Sequence, residues 1–85
     1  MPRKSLEFRH LEAFRAIMRS GTATGAGALL GVSQPAVSRL LSQTEVLVGF
    51  PLFERLHGRL VPTATAQALY EETERIFTGI EEIAA

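Results

Sequence analysis

Two short helical stretches parted by a single glycine, a hairpin-forming His57-Gly58 pair and a long run of three- and four-residue apolar spacing at the carboxyl end predict a mainly α fold. The expected architecture is a winged helix-turn-helix: a three-helix core, a short two-stranded β wing, and a long C-terminal helix for linkage and dimerisation. Residues 1–62 form the expected winged body and residues 63–85 the linker helix.

Phe8, Leu11, Phe14 and Ile17 recur every three residues, with Ala13 and Met18 alongside, so the stretch from about 8 to 19 reads as an amphipathic helix packed beneath the next two. Thr22 or Thr24 caps a shorter second helix through Leu30, and Gly31 ends it in the left-handed conformation. Gly25 and Gly27 lie within that helix, where each costs about 1 kcal/mol relative to alanine. Ser33 caps the third helix, whose first turn tolerates Pro35 because the missing amide would have no intrahelical partner. Val37, Leu40 and Leu41 supply its buried face, while Gln34, Ser38 and Arg39 share roughly one polar face. A helix, a glycine turn and a second helix can place that second helix in the major groove of DNA while the first crosses the backbone.

Gly49 ends the third helix, and Phe50, Pro51, Leu52 and Phe53 form an apolar plug for the core. Arg55 and Leu56 lead into a tight turn at His57-Gly58, and Arg59, Leu60 and Val61 lead out, with Pro62 ending the wing. From Thr63 or Thr65 the pattern becomes Ala66, Leu69, Thr73, Ile76, Ile80 and Ile83, with Tyr70 and Phe77 beside them: a heptad-like seam of about two and a half repeats. Glu71, Glu72, Glu74, Arg75, Glu81 and Glu82 on the opposite face read as a solvated surface. So small a body cannot cover a long apolar edge, and the seam is expected to pair with the same helix of a second chain.

Eighty-five residues make one domain at most, and a 46% hydrophobic content is high for that size, which favours an oligomer. With no cysteine there is neither a disulfide framework nor a thiolate metal site. No apolar run approaches the roughly 20 residues of a bilayer span, and the start, MPRKSLEFRH, lacks the apolar centre of a secretion signal, so a soluble, cytoplasmic protein is expected. Net charge is zero, but residues 1–62 hold eight Lys or Arg against four acids and residues 63–85 hold one arginine against five glutamates. A body of +4 is joined to a tail of −4, which suits a DNA-binding body whose last helix is held off the phosphates. His10 and His57 sit at no metal-ligand spacing, and there is no serine-histidine motif, phosphate-cradling glycine loop or evident carboxylate pair, so neither metal, cofactor nor catalysis is expected.

The run GTATGAGALLGVSQPAVSRLLSQTEVLVGFPLFER, Gly21 to Arg55, resembles the amino-terminal DNA-binding domain of the LysR-type transcriptional regulators. It shares that family's order of cap, alanine-rich helix, Ser-Gln-Pro-Ala, Ser-Arg, Glu, Gly and Leu-Phe-Glu-Arg. The chain departs from the family pattern in having Ala23 for an aromatic or large apolar residue, Gly25 for a basic one, Thr44 for the leucine before Glu45, and Ala66 for the glycine after the wing. The resemblance implies a sequence-specific regulator that binds a dyad-symmetric operator in double-stranded DNA as a dimer. It also implies a complete protein that carries an effector-binding domain after the long helix and acts as a tetramer. That domain is expected to be missing from this chain, which then binds DNA without responding to a small-molecule inducer.

Arg39 faces either a guanine edge or a phosphate, and Gln34 either a base edge or a sugar-phosphate oxygen. Ser33 and Ser38 belong to the same DNA-facing end, Ser38 as a phosphate contact. Pro35 and Ala36 offer apolar contact to a thymine methyl or serve only to start the helix. The resemblance puts Arg55 next to the minor groove; its alternative is a pair with Glu54 or Glu45. Arg59 is either a second wing contact or a surface residue, and Thr22 and Thr24 either donate to phosphate or only cap. Arg3, Lys4, Arg9 and Arg19 add at most diffuse attraction. Leu69, Tyr70, Thr73, Ile76, Phe77, Ile80 and Ile83 form the expected dimer seam. The competing function is a winged-helix module whose apolar seams bind another polypeptide, without DNA.

Overall fold

A computed structural model describes residues 5–84; Arg3 and Lys4, to which diffuse attraction was assigned, lie outside the described residues. The chain folds as α1 (Phe8–Ser20), α2 (Ala23–Leu30), α3 (Gln34–Val48), β1 (Phe53–Leu56), β2 (Arg59–Pro62) and α4 (Ala64–Ala84). The first three helices pack on one another around Phe14, Ile17, Ala26 and Val37, and Leu52, Leu60 and Ala66 close that core from the wing side.

Each helix boundary has a local cause. The Glu7 amide donates to His10 Nδ1 at 3.0 Å and so finds a partner at the start of α1. Because Nδ1 accepts, Nε2 carries the ring proton and donates to Gln43 Oε1 at 3.1 Å, tying α1 to α3 through a buried imidazole. Thr22, not Thr24, caps α2: its hydroxyl accepts from the Gly25 amide at 2.9 Å, and Thr24 stands exposed in the first turn. Ser33 caps α3 by accepting from the Ala36 amide at 3.3 Å, with Pro35 in the first turn as expected.

The turn between α2 and α3 depends on Gly27. Its carbonyl accepts the Val32 amide at 3.0 Å, and a Cβ on residue 27 would sit 2.6 Å from the Val32 carbonyl oxygen. The helix-propensity cost read from the sequence is therefore only one side of the matter, since the returning backbone needs the missing side chain.

The apolar plug after Gly49 is narrower than expected. Leu52 is fully buried and Phe53 partly so, stacking at 5.8 Å on Phe14, whereas Pro51 is exposed and Phe50 is 58% exposed. Leu52 is drawn in by its backbone, its amide donating to Glu45 Oε2 at 2.7 Å and its carbonyl accepting the Thr63 amide at 2.9 Å. Buried Thr44 satisfies its hydroxyl by donating to the Leu40 carbonyl at 2.6 Å, so a polar residue is accommodated in the interior.

The wing is an antiparallel pair with Phe53 opposite Pro62 and Leu56 opposite Arg59, which leaves His57 and Gly58 as a two-residue loop. Both carry positive φ, 51° and 76°, the combination that matches the twist of a hairpin. Pro62 is the last residue of β2, ending the wing as expected, and sits on an edge where its missing amide is tolerated. The Leu60 amide donates to the Gly21 carbonyl at 2.9 Å, fastening the wing to the α1–α2 turn. Thr63 then caps α4, its hydroxyl accepting from the Ala66 amide at 3.2 Å.

Gly27→Ala adds about 1 kcal/mol of helix propensity, yet we expect it to destabilise the chain by about 1–3 kcal/mol through overpacking against Val32. The urea midpoint checks this, and a midpoint at or above that of the parent chain contradicts the close approach.

Candidate nucleic-acid interface

The amino-terminal half of α3 divides by periodicity into two faces. Val37, Leu41 and Thr44 are buried and Leu40 partly so, while Ser33, Gln34, Pro35 and Arg39 are exposed and Ala36 and Ser38 half-buried. On the outer face Gln34 Nε2 donates to Ser38 Oγ at 2.7 Å, one turn apart, so the amide is held in a set orientation with its oxygen left outward. Arg39 follows with no ion pair among the described residues. The result is a short ridge bearing an amide, two hydroxyls and a guanidinium, a mixed set of donors and acceptors of the kind that matches groove edges and phosphates.

The wing residues part company. Arg55 is exposed and forms no pair with Glu54 or Glu45; the latter carboxylate is occupied by the Leu52 amide. Arg59 leans back onto the body, its guanidinium over Gly21 and donating weakly to the Ser20 carbonyl at 3.5 Å. The Leu60–Gly21 bond sets the wing beside the start of α2, where Thr22 spends its hydroxyl on the cap.

The C-terminal seam is not single. Thr73 and Phe77 are buried within the chain, and Leu69 and Tyr70 pack on the core, Tyr70 edge-on to Phe14 at 6.4 Å. Ile76, Ile80 and Ile83 point outward, 46%, 44% and 88% exposed. The small body therefore covers part of the apolar edge that the spacing assigned wholly to a partner. Phe8, expected beneath the helices, instead meets Phe77 at 5.0 Å and is partly exposed.

The glutamate face is also more than solvated surface. Arg15 Nε donates to Glu74 Oε1 at 2.7 Å, Arg19 Nη2 to Glu74 Oε2 at 3.3 Å, and Arg15 Nη2 lies 3.6 Å from Glu81 Oε1. The signal was present in the sequence as Arg15 and Arg19 one turn apart on one helix and Glu74 and Glu81 two turns apart on another, but only the packing of α4 on α1 brings the pairs together.

The family model for the bacterial regulatory helix-turn-helix protein, lysR family, matches residues 8–67, from the first residue of α1 into α4. The chain belongs to the LysR family. It is 45% identical over 78 residues to the HTH-type transcriptional regulator DgcR of Pseudoalteromonas, covering 92% of this chain and 27% of that one. It is 44% identical over 79 residues to the transcriptional activator protein LysR of Escherichia coli K12, covering 93% and 25%. The chain thus spans about a quarter of the length of these curated relatives. Among solved structures, the DNA-binding domain of CbnR crystallised in complex with DNA superposes with a TM-score of 0.85 at 33% identity, covering 93% of this chain and 91% of that one. The fold expected from the sequence, mainly helical with a two-stranded wing, is the fold observed.

Within this LysR-family chain no helix of the described residues is long and apolar enough to cross a membrane. The Glu74 carboxyl is held below its usual 4.5, first by the hydrogen bond from Arg15, against an opposing desolvation, and further by the charges of Arg15 and Arg19. Its folded value lies below its unfolded one, so the stabilisation is complete above about pH 4.5 and disappears as the pH falls through the folded value. Both partners keep some contact with water, which limits the contribution to about 1 kcal/mol or less. Thermal unfolding of the parent chain and Glu74→Gln should differ at neutral pH and converge in acid; an undiminished gap in acid contradicts the ion pair.

Proposed function

We propose that this chain is the operator-binding unit of a transcription regulator, acting as a dimer on a dyad-symmetric site. In this reading residues 1–62 are the DNA-binding body and residues 63–85 the linker and dimerisation helix. The observation that carries it is the outward ridge at the start of α3, with Gln34 bonded to Ser38 and Arg39 exposed beside them, on the side opposite Val37 and Leu41. The close likeness to a domain bound to DNA supports the same use of that ridge.

The start of α3, from Ser33 through Pro35 and Ala36 to Arg39, enters the major groove, and Arg55 on the wing lies along the minor groove, whose negative potential deepens in A·T-rich tracts. Thr22 and Thr24 lie beside the phosphates, Thr24 having the free hydroxyl. Arg59 supports the wing from behind and touches the backbone at most. Ile76, Ile80 and Ile83, flanked by Leu69, Tyr70, Thr73 and Phe77, form the dimer contact, and the outward isoleucines carry most of its energy. The full-length regulator adds an effector-binding domain and assembles as a tetramer in the cytoplasm; it performs no catalysis.

Six to ten phosphate contacts in the dimer predict a loss of about a thousandfold or more in affinity between 50 and 200 mM salt. Fluorescence anisotropy on duplexes selected from a random pool measures it, and an affinity indifferent to salt argues for a protein partner instead. Arg39→Ala should cost about 1–3 kcal/mol and relax discrimination at one base pair if the guanidinium reads a base edge. A uniform loss on all sequences assigns Arg39 to phosphate, and no loss on any removes it from the interface.

A further inference from the structure

α4 is a 21-residue rod, about 30 Å long at 1.5 Å per residue, packed on the body from Ala66 in its first turn to Phe77. The polar part of its contact with α1 is a cluster around Arg15. That guanidinium donates to Glu74 at 2.7 Å, lies 4.2 Å from the centre of the Phe77 ring, and reaches Glu81 at 3.6 Å. Residues 74, 77 and 81 follow at three and four positions, so one planar cation grips a stripe of α4 two turns long. Arg19, a turn further along α1, adds a second hold on Glu74 at 3.3 Å. Two points on each helix define a direction as well as a distance. The apolar part of the contact runs through Ala66, Leu69, Tyr70 and Phe77 and is non-directional, whereas a guanidinium–carboxylate pair constrains orientation. The Arg15 side chain is 18% exposed, the most buried of the four charged groups in the cluster.

We propose that Arg15 is a positioning residue: with Arg19 it locks α4 to α1 through Glu74, Phe77 and Glu81, and thereby sets the separation of the two α3 helices in the dimer and the half-site spacing it selects. This rests on the dimeric DNA-binding reading above. The leverage is large, because a tilt of about 10° about its first turn moves the far end of a 30 Å rod by about 5 Å, more than the roughly 3.4 Å between successive base pairs. The ionised state of Glu74 favoured by its surroundings keeps the lock closed at neutral pH.

The chain contains no cysteine, so exposed Ser42 on α3 and Thr78 on α4 can be replaced by cysteine and spin-labelled without background. The distance distribution should be narrow in the parent chain and broad or double in Glu74→Gln. In parallel, duplexes carrying two half-sites from the random-pool selection are built with spacers varied one base pair at a time. The parent chain should prefer one spacing by about tenfold or more, as simultaneous engagement of both half-sites requires. In Glu74→Gln that preference should flatten while affinity for a duplex with a single half-site stays the same. A folded, dimeric Glu74→Gln with the parent's distances and spacing preference overturns the lock alone. A parent chain that binds no duplex overturns the DNA reading and the spacing role with it, while the label distances still report whether Glu74 orients α4.

Discussion

The close passage of the Val32 carbonyl over Gly27 is the constraint from which the rest of the fold follows. It lets the chain reverse within three residues after α2, so that α3 begins against the flank of the helix before it. The angle between them turns Val37 and Leu41 inward onto Phe14 and Ile17 and leaves Gln34, Ser38 and Arg39 outside. A side chain at position 27 would push the two helices apart and disturb both faces together, so the polar ridge and the core share one geometric origin.

A second set of contacts extends that rigidity to the wing. Leu52 is buried, and around it Glu45 takes its amide while Thr63 bonds its carbonyl, so the end of α3, the strand entry and the start of α4 meet at one backbone position. Leu60 repeats the arrangement on the other side by donating to Gly21. The hairpin is thus fixed at its base by hydrogen bonds to two different helix ends, and its exposed tip inherits a defined place relative to α3. Two strands alone would not hold such a position, since an isolated hairpin is marginal in water.

What the sequence disclosed, and what it hid, follows from the range of the interactions involved. Caps at Thr22 and Ser33, the glycine ends of the helices, and the His57-Gly58 turn are local chemistry, legible over three or four residues. The outward ridge of α3 was legible too, because helical period alone separates Gln34 from Val37. Packing between remote segments was not. The periodicity of α4 marks an apolar edge but does not say how much of it α1 will cover, so it does not separate buried Thr73 and Phe77 from Ile76 and Ile80 on the exposed side of the same stripe. Phe50 sits among apolar neighbours in the sequence, yet the backbone bonds of Leu52 draw in that residue and leave Phe50 outside. Helix propensity, which is local, makes Gly27 a weak point; the approach of the Val32 carbonyl, which is not local, makes it a requirement.

The same distinction resolves the chain's zero net charge. Charges do not act as a sum when the fold pairs some of them and leaves others free. Glu74 and Glu81 on the acidic tail are engaged by Arg15 and Arg19, cations that stand on the α4 side of the body. Arg39 and Arg55, on the recognition ridge and the wing, have no such partner among the described residues. Folding therefore uses two of the tail's glutamates, Glu74 and Glu81, to attach the tail, while Arg39 and Arg55 stay unpaired among the described residues on the elements proposed to meet phosphate. For a polyanion approaching within a Debye length of about 8 Å at physiological salt, that local arrangement outweighs the total. An acidic helix and a DNA-binding surface are in this way compatible on 85 residues, provided that the ion pairs with α1 hold the two apart.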